Sequence, residues 1–430
     1  MNSSICPIPW VHTAVQQNGD YRICCQAVHP PFGKIKGATI NNTEINDVRN
    51  SVEFKQLRVD MLNDIKNPTC NLCYEEESHG LHSKRNHMLR AYSDVKYEET
   101  LTDGTIDTSK FPVRYLDLRF GNLCNLRCRY CGPTDSSLWY EEYALLSGQQ
   151  PAVMNFYNSK TYQISKTNNK YEVDSDDFSW YENPKFWNKI EKVIPYVDRY
   201  YFTGGEPTVN KTHFKLLEKI IEMGYSKQVM LEYNSNMFAV PDKLYDLWEN
   251  FKEVGIGCSL DGTGELAFYL RNPSTWDVVQ KNVDKLGYNT SKHIHGSIST
   301  TVNVYNILDF LNMSKWLLDK GYPRLRRIPS YHMLVGPNEM CVQVLPYETK
   351  QYIKQQYEQF YIEIENCMGK DWADGVRQSY SGILTFMFAE DKTALLPKLY
   401  NSTKTIDALR NQKLRDVLPW LADILDKHAT

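Results

Sequence analysis

Downstream of about residue 112, apolar residues recur with two alternating periods. Segments 113–120, 200–203, 229–233, 254–260 and 294–304 show short apolar runs or every-second-residue alternation, the pattern of β-strands. Between them, 213–223, 241–251, 274–286 and 307–318 space apolar residues three and four apart, as a helix packed on one face requires. A sixth strand is expected from 324–328 or from 332–335. Alternating β and α segments predict an α/β fold with a parallel sheet and helical crossovers. In such folds the loops after the strands carry the chemistry. From about residue 346 the spacing is helical, at 347–367 and 408–428, with Trp372, Phe386 and Trp420 expected in the core of that region.

Two stretches depart from this rhythm. Between Cys131 and Tyr200 the chain is much longer than one crossover helix needs, and 168–177 is polar and acidic with aromatics at 178–181. An insertion at about 135–195 is expected, serving as a substrate-contacting flap or as a plain surface excursion. Ahead of residue 100, segments 11–16 and 21–25 flank Asn18-Gly19, a strong hairpin signal, and 51–64 reads as a helix. The hairpin would draw Cys6 toward Cys24, and Cys70 and Cys73 follow the helix. Two cysteine pairs make four ligands, for an iron–sulfur cluster or a structural zinc ion. Cys25 is a spare that could replace Cys24. Cys258, Cys341 and Cys367 are isolated and read as ordinary thiols.

Composition narrows the possibilities. The chain has 430 residues, 42% of them hydrophobic, enough for two or three domains with a sizeable core. A net charge of −3 gives no basic footprint, so nucleic acid is not an expected partner. No apolar run has the length of a membrane span, and no signal-peptide pattern is present, so no membrane partner and a cytoplasmic location are expected. Eleven cysteines, several in C-x2-C spacing, point to metal in a reducing compartment rather than to disulfides.

The chemistry concentrates in residues 121–132, where Cys124, Cys128 and Cys131 form C-x3-C-x2-C with Tyr130 before the last cysteine. Three thiolates can hold three irons of a [4Fe-4S] cube, whereas closed all-cysteine ligation needs four. The fourth iron is thereby left open. Downstream, Gly204-Gly205-Glu206-Pro207 ends a strand. Two glycines let a backbone approach a ligand closely, and the glutamate offers a carboxylate to an ammonium group.

These motifs together resemble the radical S-adenosylmethionine (SAM) superfamily. The resemblance implies a partial (β/α)6 barrel over 110–340 and a [4Fe-4S] cluster on Cys124, Cys128 and Cys131 whose open iron binds SAM. It implies that Gly204, Gly205 and Glu206 hold the SAM ammonium and that Asn236, in Asn234-Ser235-Asn236, faces the ribose. Ser259 and Arg271 match a Ser-x-Asp-Gly…Arg arrangement whose serine and arginine contact the SAM carboxylate, a group suited to the two-pronged arginine. Asp261, in the same run, is expected to cap the turn that follows.

The N-terminal cysteines resemble the auxiliary-cluster module of SPASM and twitch enzymes, in which a C-x(9–15)-G-x4-C hairpin and further cysteines hold a second [4Fe-4S] cluster. Here the spacing is C-x12-G-x4-C. The module stands before the barrel rather than after it, at 1–100, and lacks the later SPASM cysteine run, so one auxiliary cluster on Cys6, Cys24, Cys70 and Cys73 is expected, with zinc as the alternative. A helical region occupies 345–430. The implied function is reductive cleavage of SAM to a 5′-deoxyadenosyl radical that abstracts hydrogen from a peptide or small molecule, the second cluster handling the electron. An oxidoreductase served by a donor such as flavodoxin or ferredoxin would fit. Modification of a nucleotide or RNA, and a non-catalytic iron–sulfur or zinc protein, are the competing functions. Asp117, Arg119, Glu232, Tyr233, Tyr331 and His332 lie near strand ends as candidate substrate contacts.

Overall fold

The computed structural model describes residues 3–27, 33–78, 82–156 and 160–428. Twelve strands occur among the described residues: β1 (His12–Val15), β2 (Asp20–Arg22), β3 (Lys34–Thr39), β4 (Tyr115–Arg119), β5 (Ala152–Phe156), β6 (Lys160–Thr167), β7 (Lys170–Val173), β8 (Arg199–Thr203), β9 (Met230–Ser235), β10 (Glu253–Ser259), β11 (Ile294–Val302) and β12 (Ser330–Met333). The strands β4 and β8 to β12 correspond to the six anticipated from the apolar pattern, and helices follow each of them. The sixth strand, β12, overlaps the second of its two expected positions. The chain is a mixed α/β protein with parallel strand pairing, an N-terminal hairpin-and-helix module and a helical C-terminal region.

The chain divides into two compact units. The first comprises Met1–Cys124, Asp174–Tyr233 and Pro241–Val254. Its strands run in the order β9-β8-β4-β1-β2-β3. The pairs β1–β4, β4–β8 and β8–β9 are parallel, while β1–β2 and β2–β3 are antiparallel. The N-terminal module thus joins this unit's sheet by strand pairing, with His12 opposite Tyr115 and Val15 opposite Leu118. The hairpin predicted around Asn18-Gly19 exists, but its loop has three residues. Gln16 pairs with Asp20, and Gly19 takes the left-handed conformation at φ +80°. The predicted helix 51–64 is Val52–Leu62, and Ser51 caps it by accepting the Phe54 N–H. Leu116, Leu118, Tyr200 and Phe202 point into the core, where Phe120 meets Trp180, Phe186 and Phe202 with ring centroids 5.6–6.0 Å apart.

The second unit comprises Asn125–Val173, Asn234–Val240 and Gly255–Thr430. It contains β10, β11 and β12 side by side and a separate antiparallel sheet β5-β6-β7. The expected insertion is therefore ordered structure, a helix (Trp139–Ser147) followed by this small sheet. Its residues from Asp174 onward belong to the first unit. Two long helices, Tyr347–Met368 and Lys370–Ala389, pack through Tyr357, Phe360, Tyr380 and Ile383. Trp372, Phe386 and Trp420 are only half-buried, so they are not the core residues anticipated. The expected helix 408–428 is broken instead: Asn411 has φ +50° and caps Leu396–Arg410, and Pro419 opens a new helix.

Candidate functional site

In the first unit, parallel pairing sets Arg119 opposite Thr203, so the segments leaving β4 and β8 start together. The Gly204-Gly205-Glu206 turn lies on the backbone of residues 121–123. Gly205 N–H donates to the Gly121 carbonyl (3.2 Å) and Glu206 N–H to the Leu123 carbonyl (2.8 Å). A Cβ at position 205 would sit 2.1 Å from the Leu123 oxygen, closer than any side chain allows. Gly204 has φ +112°, and a Cβ there would press on Arg119. Both glycines are therefore demanded by contact with the segment that leads directly into Cys124, which is half-buried. Glu206 is buried, and one carboxylate oxygen accepts from the N–H (3.2 Å) and hydroxyl (2.8 Å) of Thr208.

In the second unit, the rest of the cysteine segment is held on three sides. Asn236, at the end of β9, donates from Nδ2 to Asn125 Oδ1 (2.7 Å). Arg127 N–H donates to the Asn272 carbonyl (2.7 Å) and Arg129 N–H to the Leu270 carbonyl (2.9 Å). Arg271 sits between these two contacts, with Nη1 3.7 Å from Cys128 Sγ. Cys128 is buried. The Cys131 thiol donates to its sulfur, and that bond, with Arg271 alongside, lowers the Cys128 pKa against the effect of burial. Ser259 is half-buried at the C-terminal end of β10.

Asp261 differs from its expected role as a turn cap. It is buried and accepts from Arg271 Nε (2.6 Å), from the Thr301 N–H (2.7 Å) and from the Tyr130 hydroxyl. Burial pushes its carboxyl pKa up, which Arg271 partly offsets. Arg271 is accordingly a held, mostly buried cation rather than a surface charge.

The N-terminal module, within the first unit, encloses a mostly apolar cavity. Cys6, Cys24, Cys70 and Cys73 line it together with Ile8, Ile23, Leu57, Met61, Lys84 and Arg85, whereas Cys25 does not. The Gln26 amide donates to Cys24 Sγ (3.4 Å), and the Ile8 amide, Tyr74 and the Arg85 amide lie beside Cys6, Cys70 and Cys73. Burial, then the neighbouring thiols, push the Cys70 thiol up to about 12 and Cys6 higher still. Sulfur-only donors backed by N–H and O–H groups are the surroundings of an iron–sulfur cluster. Among the described residues no three His, Cys, Asp or Glu side chains meet at one point as ligands of a single ion would. All eleven cysteines are free thiols.

Comparison with protein families matches residues 118–317 to the Radical SAM superfamily and residues 6–74 to SPASM, an iron–sulfur cluster-binding domain. The chain carries a radical SAM domain preceded by a SPASM domain. Its radical SAM domain begins within β4, three residues before the Gly-Asn-Leu that leads into Cys124, and its SPASM match spans Cys6 to Cys73. No curated protein matches the chain. Among solved structures it is similar to native anSMEcpe with bound AdoMet and Cp18Cys peptide, at 15% identity and TM-score 0.36, covering 65% of this chain and 67% of that one. It is also similar to Streptococcus suis SuiB bound to S-adenosylmethionine, at 12% identity and TM-score 0.36, covering 84% of this chain and 69% of that one. The match to SuiB bound to precursor peptide SuiA has 11% identity and TM-score 0.34, over 73% and 64%.

The candidate substrate contacts of this radical SAM protein fall in different places. Asp117 is buried beside Arg119, with Nε 3.4 Å from Oδ1, and Glu232 pairs with Arg199 at 3.0 Å. Tyr233 is a core residue whose hydroxyl meets His213 Nε2 at 2.9 Å, so it does not face a substrate. Tyr331 packs against Phe310 and Tyr380, and His332 is exposed. Lys84 and Arg85, in the cavity wall, and Tyr74 were not singled out from sequence. The proximity of all three to the Cys70–Cys73 pair was the available signal.

Proposed function

We propose that this radical SAM protein is an enzyme with two [4Fe-4S] clusters that removes a hydrogen atom from a peptide or small-molecule substrate. Cys124, Cys128 and Cys131 would hold the cluster that meets SAM, and Cys6, Cys24, Cys70 and Cys73 the auxiliary one. When bound, the first cluster supplies the electron that splits SAM into methionine and a 5′-deoxyadenosyl radical, the species that takes hydrogen from the substrate. The observation that carries the two-cluster reading is the cavity lined by four cysteines.

The chain's own residues bind and orient. Thr208 fixes the Glu206 carboxylate, which therefore meets the SAM ammonium already oriented. The Gly204-Gly205 turn, packed on the backbone of residues 121–123, would hold that carboxylate beside the segment that leads into Cys124. Asn236, steadied by Asn125, would face the ribose. Arg271, fixed by Asp261, would take the SAM carboxylate with Ser259. Four cysteines close the auxiliary cluster, so its suited role is to accept an electron, which favours a net oxidation or a bond formation.

Anaerobic iron and sulfide analysis of reconstituted protein, with 5′-deoxyadenosine measured after reduction in the presence of SAM, tests this. About eight irons in the wild type and about four in a Cys124/Cys128/Cys131→Ala variant that makes no 5′-deoxyadenosine would support it. Persisting SAM cleavage in that variant would refute the assignment. Four irons in the wild type, none in the variant and zinc in both would make the N-terminal site structural.

A further inference from the structure

Lys84 occupies a position that neither cluster motif explains. It opens the helix Lys84–Ala91 and, with Arg85, lines the four-cysteine cavity. Its ammonium donates to the Tyr115 hydroxyl of β4 (2.9 Å). It also lies over the rings of Tyr115 (4.9 Å) and Tyr201 (5.6 Å), on neighbouring strands of the first unit. Tyr115, Asp117 and Arg119 alternate onto one face of β4, and Tyr201 lies opposite Asp117 on the same face of β8. Lys84 thus touches the cysteine cavity on one side and the inward side chains of the parallel strands on the other.

The other groups around the cavity do not supply a comparable charge. Arg85 is neutralised by Glu77, which takes both Nε (3.0 Å) and Nη2, and its Nη1 donates to the Ile5 carbonyl (3.0 Å). His12 is buried, and burial together with Lys84 keeps it neutral. Glu232 is paired with Arg199. Among the described residues no carboxylate lies within ion-pair distance of Lys84.

We propose that Lys84 is a positioning residue for the auxiliary cluster, a fixed cation that raises the cluster's reduction potential and so makes it a better electron acceptor. The proposal rests on the auxiliary-cluster reading above. Reduction adds one negative charge to a group already surrounded by four thiolates. A cation held against the cavity in a poorly solvated wall favours the reduced form. The Tyr115 hydroxyl and the two rings hold the ammonium in place.

The test uses the full chain carrying Cys124/Cys128/Cys131→Ala, so that its remaining iron reports the auxiliary site alone, and follows a potentiometric titration by electron paramagnetic resonance. Lys84→Gln is expected to lower the midpoint. At the parent's midpoint the oxidised form should then exceed the reduced by roughly tenfold, about 59 mV for one electron. Lys84→Arg, which keeps the charge, should titrate near the parent. An unchanged midpoint in Lys84→Gln, equal shifts in both variants, or loss of iron from Lys84→Gln would overturn the proposal. Absence of iron from the parent would instead refute the auxiliary cluster itself.

Discussion

Arg410 and Glu142 lie 268 positions apart and form a buried two-pronged ion pair. Arg410 Nη2 is 2.8 Å and Nε 3.1–3.2 Å from the Glu142 carboxylate. Arg127, in the cysteine segment, reaches the same carboxylate at 2.9 Å. Three residues earlier on the same C-terminal helix, Asp407 pairs with Arg129, whose guanidinium stacks 3.5 Å over Tyr269. The helix Leu396–Arg410 is thus tied to the arginines that flank Cys128, to Arg129 directly and to Arg127 through Glu142. Removing one member of a buried pair leaves an uncompensated charge, a loss of about 3–5 kcal/mol. Glu142→Gln should therefore lower the unfolding free energy by that amount, seen as a lower urea midpoint at unchanged slope, and reduce iron at the three-cysteine site. Denaturation monitored by fluorescence, with iron counted on the same samples, checks both.

Gly205→Ala should abolish SAM binding while leaving the auxiliary site filled. The added methyl would meet the Leu123 carbonyl at 2.1 Å, so the turn must leave the backbone ahead of Cys124. The clash lies outside the four-cysteine cavity. The expected result is about four irons retained and no SAM retained in equilibrium dialysis. Normal SAM affinity would contradict the packing described.

Asp261→Asn removes the charge that orients Arg271 and the acceptor of the Thr301 amide and Tyr130 hydroxyl. SAM affinity is expected to fall by about tenfold or more, equivalent to about 1.4 kcal/mol. Arg271→Lys should weaken binding similarly, because a point charge cannot match a carboxylate with two parallel bonds. Both are measured as the SAM dissociation constant at constant iron content.

Among the N-terminal cysteines the cavity separates ligand from spare. Cys24→Ala is expected to lose the auxiliary iron, and Cys25→Ala to keep it, since Cys24 lines the cavity and Cys25 does not. Iron analysis in the Cys124/Cys128/Cys131→Ala background decides between them. Iron loss from Cys25→Ala alone would reverse the ligand assignment.

The strands β4 and β8 to β11 were legible because each carries an apolar alternation or run that the core demands. The small sheet β5-β6-β7 was not. No residue of β7 is buried, so no hydrophobic period marks it, and residues 168–177 look merely polar. Asn168 and Asn169, at φ 49° and 62°, form the two-residue turn joining β6 to β7, and their pairing was the usable clue. Asp261 was misread for a different reason. Its sequence neighbourhood suggests a local cap, whereas its partners Tyr130 and Thr301 are 131 and 40 positions away. The cysteines and the Gly-Gly-Glu turn were visible because their chemistry is compressed into short segments. The anchors Asp407 and Arg410 on the helix Leu396–Arg410 carry no such local signature.

The parallel pairing of β1 with β4 has a consequence for synthesis of the chain. β1 can close its antiparallel edge against β2 within a few residues, but its other edge waits for β4, and His12 and Tyr115 are 103 positions apart. At translation rates of about 5–20 residues per second, that edge stays open for roughly 5–20 s. An unpaired strand edge invites pairing with another chain. During that interval the N-terminal cysteines are already made, while the hairpin that carries Cys24 still offers one strand edge to another chain.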